Sequence, residues 1–162
     1  MTIAITPKPS DGPAFRVRAG RRGDADSIAT LFAELGYPGT PDSSSVHWVI
    51  SHPEMEVIIA ADSLDKAVGV ITLSHRPQLR MKGRIATIDE LVVSSAWRRR
   101  GVGKALVRRA IERAKILSVR RIELLTHGPL TPELTTFFHA VGFDQAEVSV
   151  FRLGELDFQK SR

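Results

Sequence analysis

The residues best suited to chemistry lie in one continuous stretch. Asp89-Glu90-Leu91-Val92-Val93-Ser94-Ser95-Ala96-Trp97-Arg98-Arg99-Arg100-Gly101-Val102-Gly103-Lys104-Ala105-Leu106 runs from an apolar segment into a basic loop, then two alternating glycines, then a helical pattern. A helix N-terminus carries unpaired N–H groups and about half a unit of positive charge. Glycine there lets an anion reach the backbone with no Cβ in the way. Arg98, Arg99, Arg100 and Lys104 add charge-assisted hydrogen bonds. The pattern is suited to holding a phosphorylated ligand. Just upstream stand two carboxylates, Asp89 and Glu90, which could take up a proton, attract a cation or pair with an arginine.

Three phosphate-binding patterns compete for this turn. A P-loop needs Ser or Thr after Lys104 and a glycine five residues before Gly103, but Ala105 and Arg98 stand there. A dinucleotide fingerprint needs a third glycine where Leu106 stands. Glu123 has the right distance for its ribose-binding acid but lies inside an apolar strand pattern. The third pattern is closer. Arg98-Arg99-Arg100-Gly101-Val102-Gly103 resembles the acyl-CoA-binding motif of the GCN5-related N-acetyltransferases, in which Arg or Gln, two residues, Gly, one residue and Gly or Ala follow in order. Leu91-Val92-Val93 upstream and Ala105-Leu106-Val107 downstream are similar to this family as well. So is Thr136-Phe137-Phe138-His139-Ala140-Val141-Gly142-Phe143, which resembles its closing segment.

The resemblance implies an N-acetyltransferase that moves the acetyl group of acetyl-CoA to a primary amine. Its loop N–H groups from Arg99 to Lys104, with Val102 among them, would hold the CoA pyrophosphate, and Arg98 would order the loop or meet a phosphate. The strand through Leu91, Val92 and Val93 would bulge and part from its neighbour. The pantetheine arm would then lie along backbone at Leu91 and Val93, and an N–H near Leu91 or Val92 would polarise the thioester carbonyl. Asp89 or Glu90 would take the amine proton. Adjacent strand residues face opposite ways, so only one should point into the site, and Glu90 lies nearer the expected bulge. The family's usual tyrosine acid is replaced by Phe138, which has no proton to give. Tyr37, Asp42 and His127 are candidates for the acceptor side. The implied acceptor is a small-molecule or peptide amine, and a homodimer is a common family assembly. A non-catalytic acyl-CoA binder is the alternative, and Phe138 favours it.

These residues need a scaffold, and the periodicities supply one. Strands are predicted over Phe15–Arg18, Val57–Ala61, Ala67–Ser74, Arg84–Val93, Arg121–Thr126 and Val148–Leu153, the last with a partner near Phe143. Helices are predicted from an Asp24 cap to Leu35, from an Asp42 cap to Ile50, over Gly101–Leu117, and from Thr131 to about Val141. The fold class is α/β (α+β): a mixed, mostly antiparallel sheet of six to seven strands with helices on both faces. Residues 14–162 read as one domain behind a loose tail over 1–13, whose three prolines and lack of a long apolar run do not fit a secretory signal.

Composition narrows the partners. No cysteine is present, which excludes a disulfide framework and thiolate catalysis and fits a reducing cytoplasm. The five histidines show no ligand spacing, so no metal is expected. No apolar run reaches the ~20 residues a bilayer span requires. The net charge of +5 suits an anionic partner. Nucleic acid is not expected, since neither a helix-turn-helix signal nor an aromatic stacking platform is present.

Overall fold

Strands that bury both faces need a cover on each side, and the order of elements supplies it. The computed structural model describes residues 14–36, 39–126 and 129–154. The expected tail over 1–13 lies outside them. The described residues fall into two compact units, one through Pro129 and one from Leu130. In the first unit, β1 (Arg16–Ala19), β2 (Met55–Ala61), β3 (Ala67–Gln78), β4 (Gly83–Val93) and β5 (Val119–Leu124) form a five-stranded sheet in chain order. The first three junctions are antiparallel and β4–β5 is parallel. A parallel pair requires a crossover, and helix α3 (Val102–Ile116) provides it.

Helices α1 (Ala25–Glu34) and α2 (Ser43–Ser51) pack on one face of the sheet. There Ile28, Leu31 and Val46 join Ile59, Val70 and Val92 in one apolar cluster. Helix α3 covers the other face. Its Val102, Leu106, Val107, Ala110 and Ala114 are all buried, at the spacing of a single helical stripe. Gly69 sets how closely α3 approaches: a Cβ there would stand 3.0 Å from Val102 Cγ1 and 3.1 Å from Leu106 Cδ1.

Two arginines, Arg113 and Arg18, form ion pairs at polar seams. Arg113 of α3 donates two hydrogen bonds to the Glu56 carboxylate of β2, at 2.9 and 2.8 Å. Arg18 of β1 donates two, both at 2.8 Å, to Asp24, and its Nε donates to Asp65 in the β2–β3 turn, also at 2.8 Å. The Asp24 contacts, more than any other effect, raise the proton affinity of Arg18. Asp24 stands at the N-cap of α1 as expected, but its carboxylate does not cap that helix. A bidentate guanidinium is the stronger partner for a buried carboxylate. Asp42 does cap α2, accepting from the Ser45 N–H at 2.7 Å.

The second unit contains α4 (Pro132–Ala140), capped by Thr131 with Pro132 at its start. The expected strand over Val148–Leu153 does not form, and none forms near Phe143: residues 143–154 belong to no helix or strand. The sheet therefore has five strands rather than six or seven. Alternating apolar residues make a strand only where a neighbour takes up the backbone hydrogen bonds, and no ladder among the described residues includes that segment. No helix among the described residues is long and apolar enough to cross a membrane.

Gly69→Val should force Val102 and Leu106 off the sheet. Overpacking of this kind typically costs about 1–3 kcal/mol. A lower urea midpoint with an unchanged slope is the expected result.

Candidate active site

The register of β3 against β4 decides which way the acids point. Thr72 pairs with Glu90, and the next residue, Leu73, pairs with Ile88. Asp89 is the extra residue of a β-bulge. Directly opposed residues share a face, so Ile88 lies on the α3 side with Leu73. Beyond the bulge the parity changes: Glu90 and Val92 turn to the α1–α2 side with Thr72 and Val70. In a regular strand Ile88, Glu90 and Val92 would share one face. The bulge is tied on both sides. The Ser74 N–H donates to Asp89 Oδ2 at 3.1 Å. The Glu90 N–H donates to Thr72 Oγ1 at 3.1 Å, and that hydroxyl donates onward to Glu90 Oε2.

Glu90 thereby enters a cavity of about 330 Å³ between the helices and the sheet. Ile28 and Phe32 of α1 and Val46, Val49 and Ile50 of α2 form one wall. Val57, Val70 and Thr72 form the floor, and the loop from Gly39 to Pro41 closes a side. Burial in this apolar setting, with the neighbouring charge of Asp89 as a lesser cause, pushes the Glu90 carboxyl up to about 7. The two acids thus separate: Glu90 faces the cavity, and Asp89 is exposed and tied to backbone. Asp42 caps α2 and does not line the cavity, while Tyr37 and His127 lie outside the described residues.

The edge of β4 opens where the bulge begins. β5 accompanies β4 only from Arg84 to Ile88. The Ser94 N–H donates to the Val68 carbonyl at 2.9 Å. Bonding direction alternates along an antiparallel ladder, so Val92 directs its backbone groups to β3. Leu91 and Val93 direct theirs to the side that β5 has left. The bulge expected within Leu91–Val93 lies instead at Asp89, because Leu91 to Val93 pair regularly with Ile71 to Gly69.

The basic turn follows directly. Arg98 Nε donates to the Val93 carbonyl at 3.1 Å, clamping the turn to the end of β4. Arg100 lies over the Trp97 ring, 5.8 Å from its centroid. Arg99 has φ 61 and Gly101 φ 82, alternate left-handed residues just before α3 begins at Val102. Such a conformation costs a non-glycine residue about 1–3 kcal/mol and gathers successive N–H groups into an anion-binding hollow. Nothing lies within 4 Å of where a Gly101 Cβ would be. An open glycine, a helix N-terminus and the exposed Arg99 and Lys104 together fit a diphosphate, and the β4 edge that β5 leaves past Ile88 fits an extended arm.

A family model described as the acetyltransferase (GNAT) family matches residues 25–143. The chain belongs to this family. Glucosamine 6-phosphate N-acetyltransferase 1 of Oryza sativa subsp. japonica is 32% identical over 97 residues, which is 58% of this chain and 56% of that protein. The match therefore spans little more than half of that relative. A putative acetyltransferase from Agrobacterium tumefaciens str. C58 has a TM-score of 0.75 at 28% identity, covering 86% of this chain and 99% of the other. An aminoglycoside acetyltransferase from an uncultured soil metagenomic sample shares the fold, with a TM-score of 0.75 at 18% identity over 88% of this chain and 97% of its own.

Two contributors to this GNAT site escape a reading of the sequence. Thr72 has no motif; only the register sets it against Glu90. Glu34, at the end of α1, accepts from the Ser95 N–H at 2.9 Å and the Ser94 hydroxyl at 3.0 Å. These bonds, the backbone one first, hold its carboxyl below the ordinary range. Glu34 thus ties α1 to the entrance of the basic turn. In the second unit, Phe138 packs edge-to-face against Phe137 and Phe143, with ring centroids 5.3 and 6.4 Å apart. Among the described residues no cluster of three or more His, Asp or Glu is placed to hold a metal ion.

The Glu90 environment makes stability depend on pH. Between its ordinary value of 4.5 and about 7, the folded protein retains a proton that the unfolded chain has released. Stability contributed by this group is full below that window and falls as pH rises through it. Glu90→Gln should remove this decline. Urea midpoints of the variant should therefore rise relative to the parent between pH 5 and pH 8.

Proposed function

We propose that the chain is an N-acetyltransferase that joins the acetyl group of acetyl-CoA to a primary amine, with Glu90 as the group that takes the amine proton. The observation that carries this reading is the bulge. It turns Glu90 into the cavity one residue before the stretch of β4 that β5 does not accompany, Leu91 to Val93, and that stretch runs into the Arg98–Lys104 turn.

Acetyl-CoA supplies an acetyl thioester activated for acyl transfer. The turn from Arg99 to Lys104 holds its diphosphate, and Arg98 keeps that turn in place through Val93. The Leu91 and Val93 backbone aligns its arm, and the N–H groups there polarise the acetyl carbonyl. An alkylammonium has no lone pair, and its ordinary pKa is about 10. The apolar cavity lowers that value by desolvation, while the raised proton affinity of Glu90 narrows the gap from the other side. Glu90 accepts one ammonium proton. The freed nitrogen forms a bond to the acetyl carbon as the carbon–sulfur bond breaks, and the sulfur leaves with the bonding pair. The remaining surplus proton on nitrogen passes to sulfur through water. Phe138 has no part in this, and a thiol of pKa about 8.5 takes its proton from solvent without help. The proton held by Glu90 returns to solvent, so amide, free CoA thiol and one proton are the products.

Glu90→Gln should lower kcat about 10²–10⁴-fold, the usual range for loss of a general base. kcat/KM of the parent should rise with pH through about 7 as Glu90 ionises. Equal rates in the variant and the parent would remove Glu90 from the mechanism.

Saturation with acetyl-CoA should raise the melting temperature; at ~100 times Kd the stabilisation is about 2.7 kcal/mol. Gly101→Asp, which places a carboxylate in the hollow, should abolish the rise. Phe138 favours a second reading, an acyl-CoA binder without catalysis. That reading predicts the melting shift with no CoA release from any amine in a broad panel.

A further inference from the structure

Glu90 is the only charged side chain among the described residues that line the cavity. Most of the rest is hydrocarbon from α1, α2 and the central strands. An acceptor seated here would bury its body against those walls and, among the described residues of the lining, meet no Lys, Arg or His able to neutralise a phosphate. A polyhydroxylated body would fare little better. Thr72 Oγ1 is already bonded to Glu90. Thr40 and Ser45 are the other side-chain hydroxyls among the described residues of the lining, and each sugar hydroxyl buried without a partner carries a desolvation penalty. At about 330 Å³ the cavity lies at the small end of ligand sites.

We infer that the acceptor is a small primary amine carried on an uncharged apolar body, such as an alkylamine or arylalkylamine, whose nitrogen meets Glu90 while its hydrocarbon fills the space beneath α1 and α2. This rests on the acetyltransferase reading of the same site. It separates this chain from the rice relative, whose name specifies a phosphorylated amino sugar.

The test uses the full chain without acetyl-CoA at pH 8, where Glu90 is ionised. Kd is measured calorimetrically for a homologous series of straight-chain alkylamines, for 2-phenylethylamine and for glucosamine 6-phosphate. Each added methylene should tighten binding about fourfold until the cavity is full. 2-Phenylethylamine should bind at least tenfold more tightly than glucosamine 6-phosphate. Glu90→Gln should weaken every alkylamine by a similar factor and leave the chain-length slope intact, because the slope comes from the walls and the offset from the carboxylate. A flat series, or tighter binding of glucosamine 6-phosphate, would overturn the inference. CoA release is then followed with the same amines. A steep binding series with no CoA release from any amine would keep the apolar pocket and overturn the catalytic reading. CoA release from glucosamine 6-phosphate alone would keep the catalytic reading and overturn the apolar acceptor.

Discussion

A single unpaired residue in β4 governs the arrangement. A strand presents alternate side chains to opposite faces, so one inserted residue reverses every assignment beyond it. Asp89 is that insertion. Before it, Ala86 and Ile88 are buried on the α3 side. After it, Val92 joins the α1–α2 core and Glu90 reaches the cavity. Without the insertion, Glu90 would lie on the α3 face beside Leu73 and Ile71, where a carboxylate would meet hydrocarbon and no solvent. The bulge persists because its polar groups are satisfied: Asp89 takes the Ser74 N–H, and Thr72 both accepts from and donates to Glu90.

β4 then presents two surfaces in two directions. Its face carries Glu90 and Val92 toward the cavity. Its edge, which β5 leaves past Ile88, carries the backbone of Leu91 and Val93. The basic turn is held to that edge by Arg98 and to α1 by Glu34. Gly69 lets α3 sit close enough for its first turn to meet the end of β4. Placement of the turn therefore depends on packing beneath it as much as on its own glycines. The same cavity that raises the proton affinity of Glu90 makes its ionised form less favourable to the fold. The site thus holds a carboxyl that ionises near neutral pH at the expense of stability at higher pH.

Much of this is legible in local patterns. The basic turn, the strand before it and the helix after it are written in contiguous residues, since phosphate binding at a helix N-terminus uses backbone of one short segment. The order of elements through α4 follows from periodicity and caps, with Asp42 and Thr131 acting as written. The failures share a cause. Val148–Leu153 has the alternation of a strand, but alternation cannot supply a pairing partner. Asp24 has the type and place of a cap, but Arg18, six residues earlier, takes its carboxylate. Thr72 and Glu34 act through neighbours 18 and 61 residues away in sequence, a separation no motif records.

The sequence by itself determined the family, the basic glycine turn and the pair of candidate acids, because each depends on residues adjacent along the chain. Only the tertiary structure set Asp89 and Glu90 apart, leaving the first exposed and placing the second in an apolar cavity. The position of a bulge is set by two strands pairing, and a carboxyl's proton affinity is set by whatever packs around it. Neither is a property of the strand that carries the residue.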